Sequence, residues 1–292
     1  MVLVRRLSLL ALGLQMLLVV SGTAVRVTGS GLGCPTWPRC TGGSLTNTAA
    51  LGSHGSIEFG NRLLAVVMEA VGIALVLAVR RYAPQHTRLA LVQAAVVPLQ
   101  AVIGGLLVLS GLNPYVLILH FLTSFPLVFA AAALLRRLSP APEPHPLLQK
   151  LSAAAVLATA VVLVLGTLVT GTGPHAGDPK VDRLPFSPRT VTQLHADGVW
   201  LLSGLVLATV VVAWRSSYRR WALGLLALVV AQAGVGYWQY FTGVPAGLVA
   251  VHVALATTVF TVASWLALST PARPSRSEQP TLARAAGTAT AR

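Results

Sequence analysis

Eight apolar runs, each long enough to cross a bilayer, govern what this chain can fold into. They lie at roughly 7–27, 58–79, 89–110, 114–135, 151–170, 191–214, 221–241 and 245–269. Hydrocarbon offers the backbone no hydrogen-bond partners, so a span must satisfy its own, and a helix of about 20 residues does so. Only 10% of the residues are charged, against ~25% in a soluble domain. The chain therefore reads as an all-α polytopic membrane protein. The first run follows Arg5 and Arg6, but it exceeds a signal-peptide core and no A-x-A site follows it, so it is read as a span.

The formal net charge is +14, which in a soluble protein would point to nucleic acid. Its distribution gives a different account. With the N-terminus inside and eight spans, 15 of the 21 basic residues fall on cytoplasmic segments, among them Arg80, Arg81, Arg136, Arg137, Arg219 and Arg220. Arg26, Arg39, Arg62, Lys180, Arg183 and Arg189 fall on or near the outer side. The positive-inside bias places both termini in the cytoplasm; the expected location is a bacterial plasma membrane, among lipid, and nucleic acid is not expected.

The sequence also folds onto itself. "VTGSG" at 27–31 returns as "VTGTG" at 169–173, and "LQAVIGG" at 99–105 resembles "AQAGVGY" at 231–237. Gln100 then pairs with Gln232, Gly104 with Gly236 and His120 with His252, each 132 residues apart, while Asn61 pairs with His195 at 134. An even number of spans separates equivalent residues, which predicts a parallel repeat of two pseudo-symmetric four-helix bundles. The halves are 1–138 and 150–270, joined by a Pro-rich cytoplasmic linker at 139–149 and followed by a polar, disordered tail at 271–292.

Of seven histidines, His54, His86, His145 and His175 lie in loops or at span ends, whereas His120, His195 and His252 lie inside spans. An ionisable side chain within a membrane costs several kcal/mol unless something offsets it, so each is a functional candidate. His120 and His252 sit about seven residues into their spans from the outer side, ~10 Å deep, and His195 about four. Two imidazoles at similar depth on facing helices can clamp a haem iron from opposite faces. His195 and His252 are read as that pair; the alternative is that each bonds between helices. In the N-terminal half His120 remains but Asn61 replaces the second histidine. One ligand there leaves an iron face open for chemistry, unless that half has lost its haem.

Glu58, Asn61 and Arg62 fall at i, i+3 and i+4 and share one helix face at the mouth of the second span. Glu58 is read as a proton relay and Arg62 as its partner or as an anchor for a haem propionate; a simple surface pair is the alternative. Glu69 lies deeper on the same stripe with no role assigned, and Asp197 points away from His195 toward polar packing. Cys34 and Cys40, the only cysteines, share the first outer loop. They are read as a disulfide, structural or redox-active, rather than a metal pair.

"GTAVRVTGSGLGCPTWPRC" at 22–40, "IEFGNRLLA" at 57–65, the span of His120, "GTLVTGTGPHAGD" at 166–178, "QLHADG" at 193–198 and "VHVALA" at 251–256 resemble haem A synthase, the CtaA family, from about residue 5 to 270. The resemblance implies an enzyme that oxidises the C8 methyl of haem O to a formyl group, giving haem A for terminal oxidases. It implies a haem b held by His195 and His252, and haem O as substrate in the N-terminal half beside His120. Glu58 matches the family's catalytic glutamate, and Cys34 and Cys40 its paired cysteines. Implied partners are haem O and haem A, a haem O synthase and the oxidase under assembly; homo-oligomerisation is left open. Many members carry a histidine where this chain has Asn61, so two-histidine ligation of the substrate is not expected here; His54 is the one alternative ligand nearby. A bis-histidine b-type cytochrome passing electrons from quinol, and a repeat-built transporter, are the rival readings.

Overall fold

Helix ends in this chain are set by short-range capping chemistry, and that chemistry positions the histidines. The computed structural model describes residues 1–139, 146–178 and 180–268. Nine α-helices occur among them: α1 (Val2–Val27), α2 (Gly52–Tyr82), α3 (Thr87–Leu109), α4 (Pro114–Leu122), α5 (Ser124–Arg137), α6 (Pro146–Thr172), α7 (Pro188–Ala213), α8 (Arg219–Phe241) and α9 (Ala246–Ala267). With α4 and α5 counted as one span, eight are long and apolar enough to cross a membrane, and no strand occurs among the described residues.

Three helix C-termini close alike. Past α1, α3 and α8 a glycine adopts the left-handed conformation: Gly29 (φ 67°), Gly111 (φ 63°) and Gly243 (φ 79°). The next amide reaches back to a carbonyl five residues earlier, Ser30 to Val25, Leu112 to Leu107 and Val244 to Gln239, which satisfies an orphan acceptor at each helix end. Leu112 (φ 64°) and Val244 (φ 59°) are also left-handed. The turns leading into α4 and α9 thus share two successive unusual residues, 132 positions apart, the offset that relates His120 to His252.

The fourth span is broken. Thr123 turns its Oγ1 back to the Leu119 and His120 carbonyls at 2.8 and 3.0 Å. Pro126, in the first turn of α5, has no amide to return to the preceding helix. The Gln100 amide then staples the break, donating to the His120 carbonyl (3.2 Å) and Ser124 Oγ (2.9 Å), while its oxygen competes with the Leu119 and His120 carbonyls for the single Thr123 hydroxyl hydrogen.

Packing runs in two rings. Helices α1, α2, α3 and the α4–α5 span pack in sequence, and α5 closes on α1; α6 to α9 do the same, and α9 closes on α6. The rings meet where α1 and α5 touch α9 and α4 touches α6. Phe125 of α5 lies edge-on to Phe260 of α9 at 5.2 Å within a buried cluster with Val128 and Leu163. Apolar side chains such as Val66, Trp200 and Val211 stay exposed, as expected of helices whose solvent is lipid. The linker expected at 139–149 lies outside the described residues over 140–145, and α6 already begins at Pro146; the tail at 271–292 also lies outside them.

Two starts differ from the sequence reading. Helix α2 begins at Gly52, so Glu58 stands nearly two turns inside it rather than at its mouth. Helix α7 begins at Pro188, capped by Ser187, which puts His195 seven residues in rather than four. For α7 the polar residues ahead of the apolar run are helical because the Ser187 cap and Pro188, not hydrophobicity, set its start; α2 begins without a side-chain cap.

Candidate functional site

Across the two halves, three glycines make room for three imidazoles. A Cβ on Gly166 of α6 would lie 3.1 Å from Cε1 of His195, and one on Gly236 of α8 would lie 3.1 Å from Cε1 of His252. Gly104 of α3 does the same for His120 at 3.2 Å. Each ring therefore rests on helix backbone, closer than a side chain would permit. The rings of His195 and His252 stand 6.4 Å apart at 62°.

The hydrogen bonds fit metal ligation. His195 Nδ1 lies 3.0 Å from the Val162 carbonyl of α6. A carbonyl only accepts, so Nδ1 carries the hydrogen and Nε2 keeps its lone pair, the arrangement that orients histidine ligands. Nδ1 of His252 and of His120 is buried without a partner. Two imidazoles on opposite sides of one metal, each bonded at ~2 Å, have ring centres about 6 Å apart, which the 6.4 Å spacing matches. The residues present fit a bis-histidine haem.

The N-terminal half brings its polar residues to the loop between α1 and α2. Glu58 is buried; its Oε2 accepts from the Cys34 amide at 2.6 Å and its Oε1 from Arg62 at 2.6 Å. Arg62 also donates to the carbonyls of Cys34, Thr36 and Arg39 at 3.1–3.3 Å. The pair expected from their spacing forms, and its target is the loop closed by the Cys34–Cys40 disulfide, whose Cα atoms are 4.4 Å apart. Within that loop Trp37 reaches α3, where its ring occupies the space a Cβ on Gly105 would need. The indole thus packs one residue from the glycine that supports His120.

Asn61 turns from this cluster to α1, donating from Nδ2 to Ser21 Oγ at 2.7 Å. His54 is held by Ser30 at 2.9 Å. Asp197 accepts from Gln193 at 2.8 Å, an exposed polar contact. Glu69 Oε2 is buried without a partner. The two surface grooves, lined by Arg220, Trp221 and Leu228 and by Val211 and Arg215, touch none of these groups. Sequence reasoning missed Ser21, Trp37 and the Val162 carbonyl. The repeat pairs Gly104 with Gly236, and what each of these glycines admits is a histidine ring.

A family model described as cytochrome oxidase assembly protein (COX15-CtaA) matches residues 5–177. That stretch holds Cys34, Cys40, Glu58, Asn61, Arg62 and His120; His195 and His252 lie beyond it. No curated protein matches the chain.

Proposed function

We propose a specific reaction for this chain, which belongs to the COX15-CtaA family of cytochrome oxidase assembly proteins: it oxidises the C8 methyl of haem O to a formyl group, making haem A. The supporting observation is the contrast between two histidine sites. His195 and His252 face each other across 6.4 Å, a set suited to a resident cofactor saturated at both faces. In the N-terminal half His120 has Asn61 at the position the repeat gives to the second histidine, and Asn61 is tied to Ser21.

Haem b, bound by His195 and His252, would supply one-electron redox chemistry to the C-terminal half. Haem O is the substrate of the N-terminal half, with His120 its one membrane-embedded iron ligand. Taking a methyl to a formyl group adds one oxygen and removes four electrons; with water as the oxygen source and an external electron acceptor it also releases four protons, so the site needs a proton acceptor within the membrane. Glu58 is that acceptor. Its carboxylate is held between the Cys34 amide and Arg62, and exchanging one of these contacts frees an oxygen. Arg62 and the disulfide loop exclude water from the outer side. Arg62 already spends both terminal nitrogens on the loop and Glu58, so its first role is to hold that loop, ahead of any propionate. The repeat relating the two halves is supported by their like packing order and by the paired turns at 111–112 and 243–244. We place the protein in a bacterial plasma membrane with both termini cytoplasmic, from the charge bias.

Pigment extraction after co-expression with a haem O source tests the reading. Wild type should yield haem A, and Glu58→Gln only haem B and haem O. Haem B alone from both would favour the electron-carrying cytochrome, which shares His195 and His252.

A further inference from the structure

Two arginines meet at the outer boundary between the halves, and neither has a counter-ion among the described residues. Arg26, at the end of α1, donates from Nη1 to the His175 carbonyl at 2.6 Å. Arg183 donates from Nη2 to the adjacent Pro174 carbonyl at 3.0 Å. Binding neighbouring carbonyls brings the two guanidiniums close enough to repel each other. Among the described residues the one ion pair is Glu58–Arg62. Asp178, in the same loop, is turned to the Lys180 amide, and Asp182 is exposed. Nη1 of Arg183 is buried with no partner at all.

A buried guanidinium donor left unpaired, beside a second positive charge, is a costly arrangement unless an anion completes it. Planar guanidiniums match carboxylate oxygens in geometry as well as charge. The position narrows the anion further. His175 Nε2 donates to the Val244 carbonyl at 2.8 Å, so the arginine-bearing loop is fastened to the turn just before α9. The same loop runs on into α7. His195 lies seven residues into α7 and His252 six into α9, ~10 Å below this loop at 1.5 Å per residue. A macrocycle clamped at that depth, with its acidic edge turned outward, would present its carboxylates to the arginines.

We propose that Arg26 and Arg183 form a seat for the propionate carboxylates of the tetrapyrrole held by His195 and His252. This rests on the bis-histidine reading above. It also gives α1 of one half a direct part in cofactor binding by the other.

The test uses full-length protein produced under haem limitation and titrated with iron protoporphyrin IX or with its dimethyl ester. Esterification removes the charges and leaves the ring and iron intact. Wild type should bind the diacid about tenfold or more tightly than the ester, the scale of charge-assisted hydrogen bonds. The Arg26→Gln/Arg183→Gln variant should bind both alike, keeping the bis-imidazole spectrum as proof of fold. Arg183→Lys should recover part of the preference. Equal binding of both probes by wild type, or a preference surviving in the double glutamine variant, overturns the proposal; the latter would assign the arginines to another anion such as a lipid phosphate. A wild type that binds neither probe overturns the bis-histidine reading and this inference together, whereas binding without discrimination overturns only the inference.

Discussion

Asn61 and Ser21 are joined across the first two spans by a 2.7 Å hydrogen bond from Nδ2 to Oγ, and Ser21 passes its own hydrogen to the Leu18 carbonyl at 3.1 Å. At the place the sequence repeat makes equivalent, His195 gives its Nδ1 hydrogen to Val162 on α6. In both halves the polar side chain of the second span is anchored to the first. Only one of the two anchored groups can ligate iron.

Asn61→His should therefore change spin state. The new imidazole has Ser21 within reach as an acceptor for Nδ1, leaving Nε2 free to ligate iron. Haem bound in the N-terminal half should move from a high-spin to a low-spin optical and paramagnetic-resonance signature, with the signature of His195 and His252 unchanged. Two low-spin centres in the wild type would sink the one-ligand account.

Arg62 should matter first through the outer loop. Arg62→Ala leaves the carbonyls of Cys34, Thr36 and Arg39 without its donors and strips Glu58 of its cation. The cost is about 1–3 kcal/mol, read as a thermal midpoint several degrees lower and faster proteolysis between Cys34 and Arg39. Arg62→Lys should rescue little, since one ammonium cannot span the same acceptors. Unchanged melting and protease resistance in Arg62→Ala would show that the loop is held by other means.

The disulfide and the arginine restrain one segment, so their effects should not add. Replacing Cys34 and Cys40 together by serine removes a crosslink worth ~2 kcal/mol for so short a loop. With Arg62 and the Trp37–Gly105 contact still in place, the loop should stay seated. Adding Arg62→Ala should then lower the thermal midpoint by more than the sum of the separate changes. Strict additivity would mean that the two tethers act on independent structure.

The spans were legible because hydrocarbon enforces length and composition, and eight apolar runs became eight spans. Local chemistry decided what the runs concealed. The span of His120 reads as unbroken, yet Thr123 and Pro126 divide it, since a hydroxyl competing for helix carbonyls leaves no trace in hydropathy. Glu58 and Arg62 were legible as partners from their spacing of four. Their target was not, because contacts to Cys34 and Thr36 cross 20 or more positions and depend on how the loop folds back. Asn61 could be recognised as a departure from the repeat, but Ser21 lies 40 residues away with no periodic signal to mark it.

The glycines beneath the histidines separate crowding from helix propensity. Gly234 and Gly236 share α8, and a Cβ on Gly234 meets nothing within 4 Å, whereas one on Gly236 lies 3.1 Å from His252 Cε1. Gly234→Ala should leave haem binding intact and stabilise the helix by up to about 1 kcal/mol. Gly236→Ala gains the same propensity but pushes the imidazole by a few tenths of an ångström, and a ligand displaced by its support commonly loses about 10–100-fold in affinity. Haem content per polypeptide and the low-spin signal should fall in Gly236→Ala and Gly166→Ala while the thermal midpoint of haem-free protein holds or rises. Equal haem content in Gly234→Ala and Gly236→Ala would show that His252 needs no support from α8.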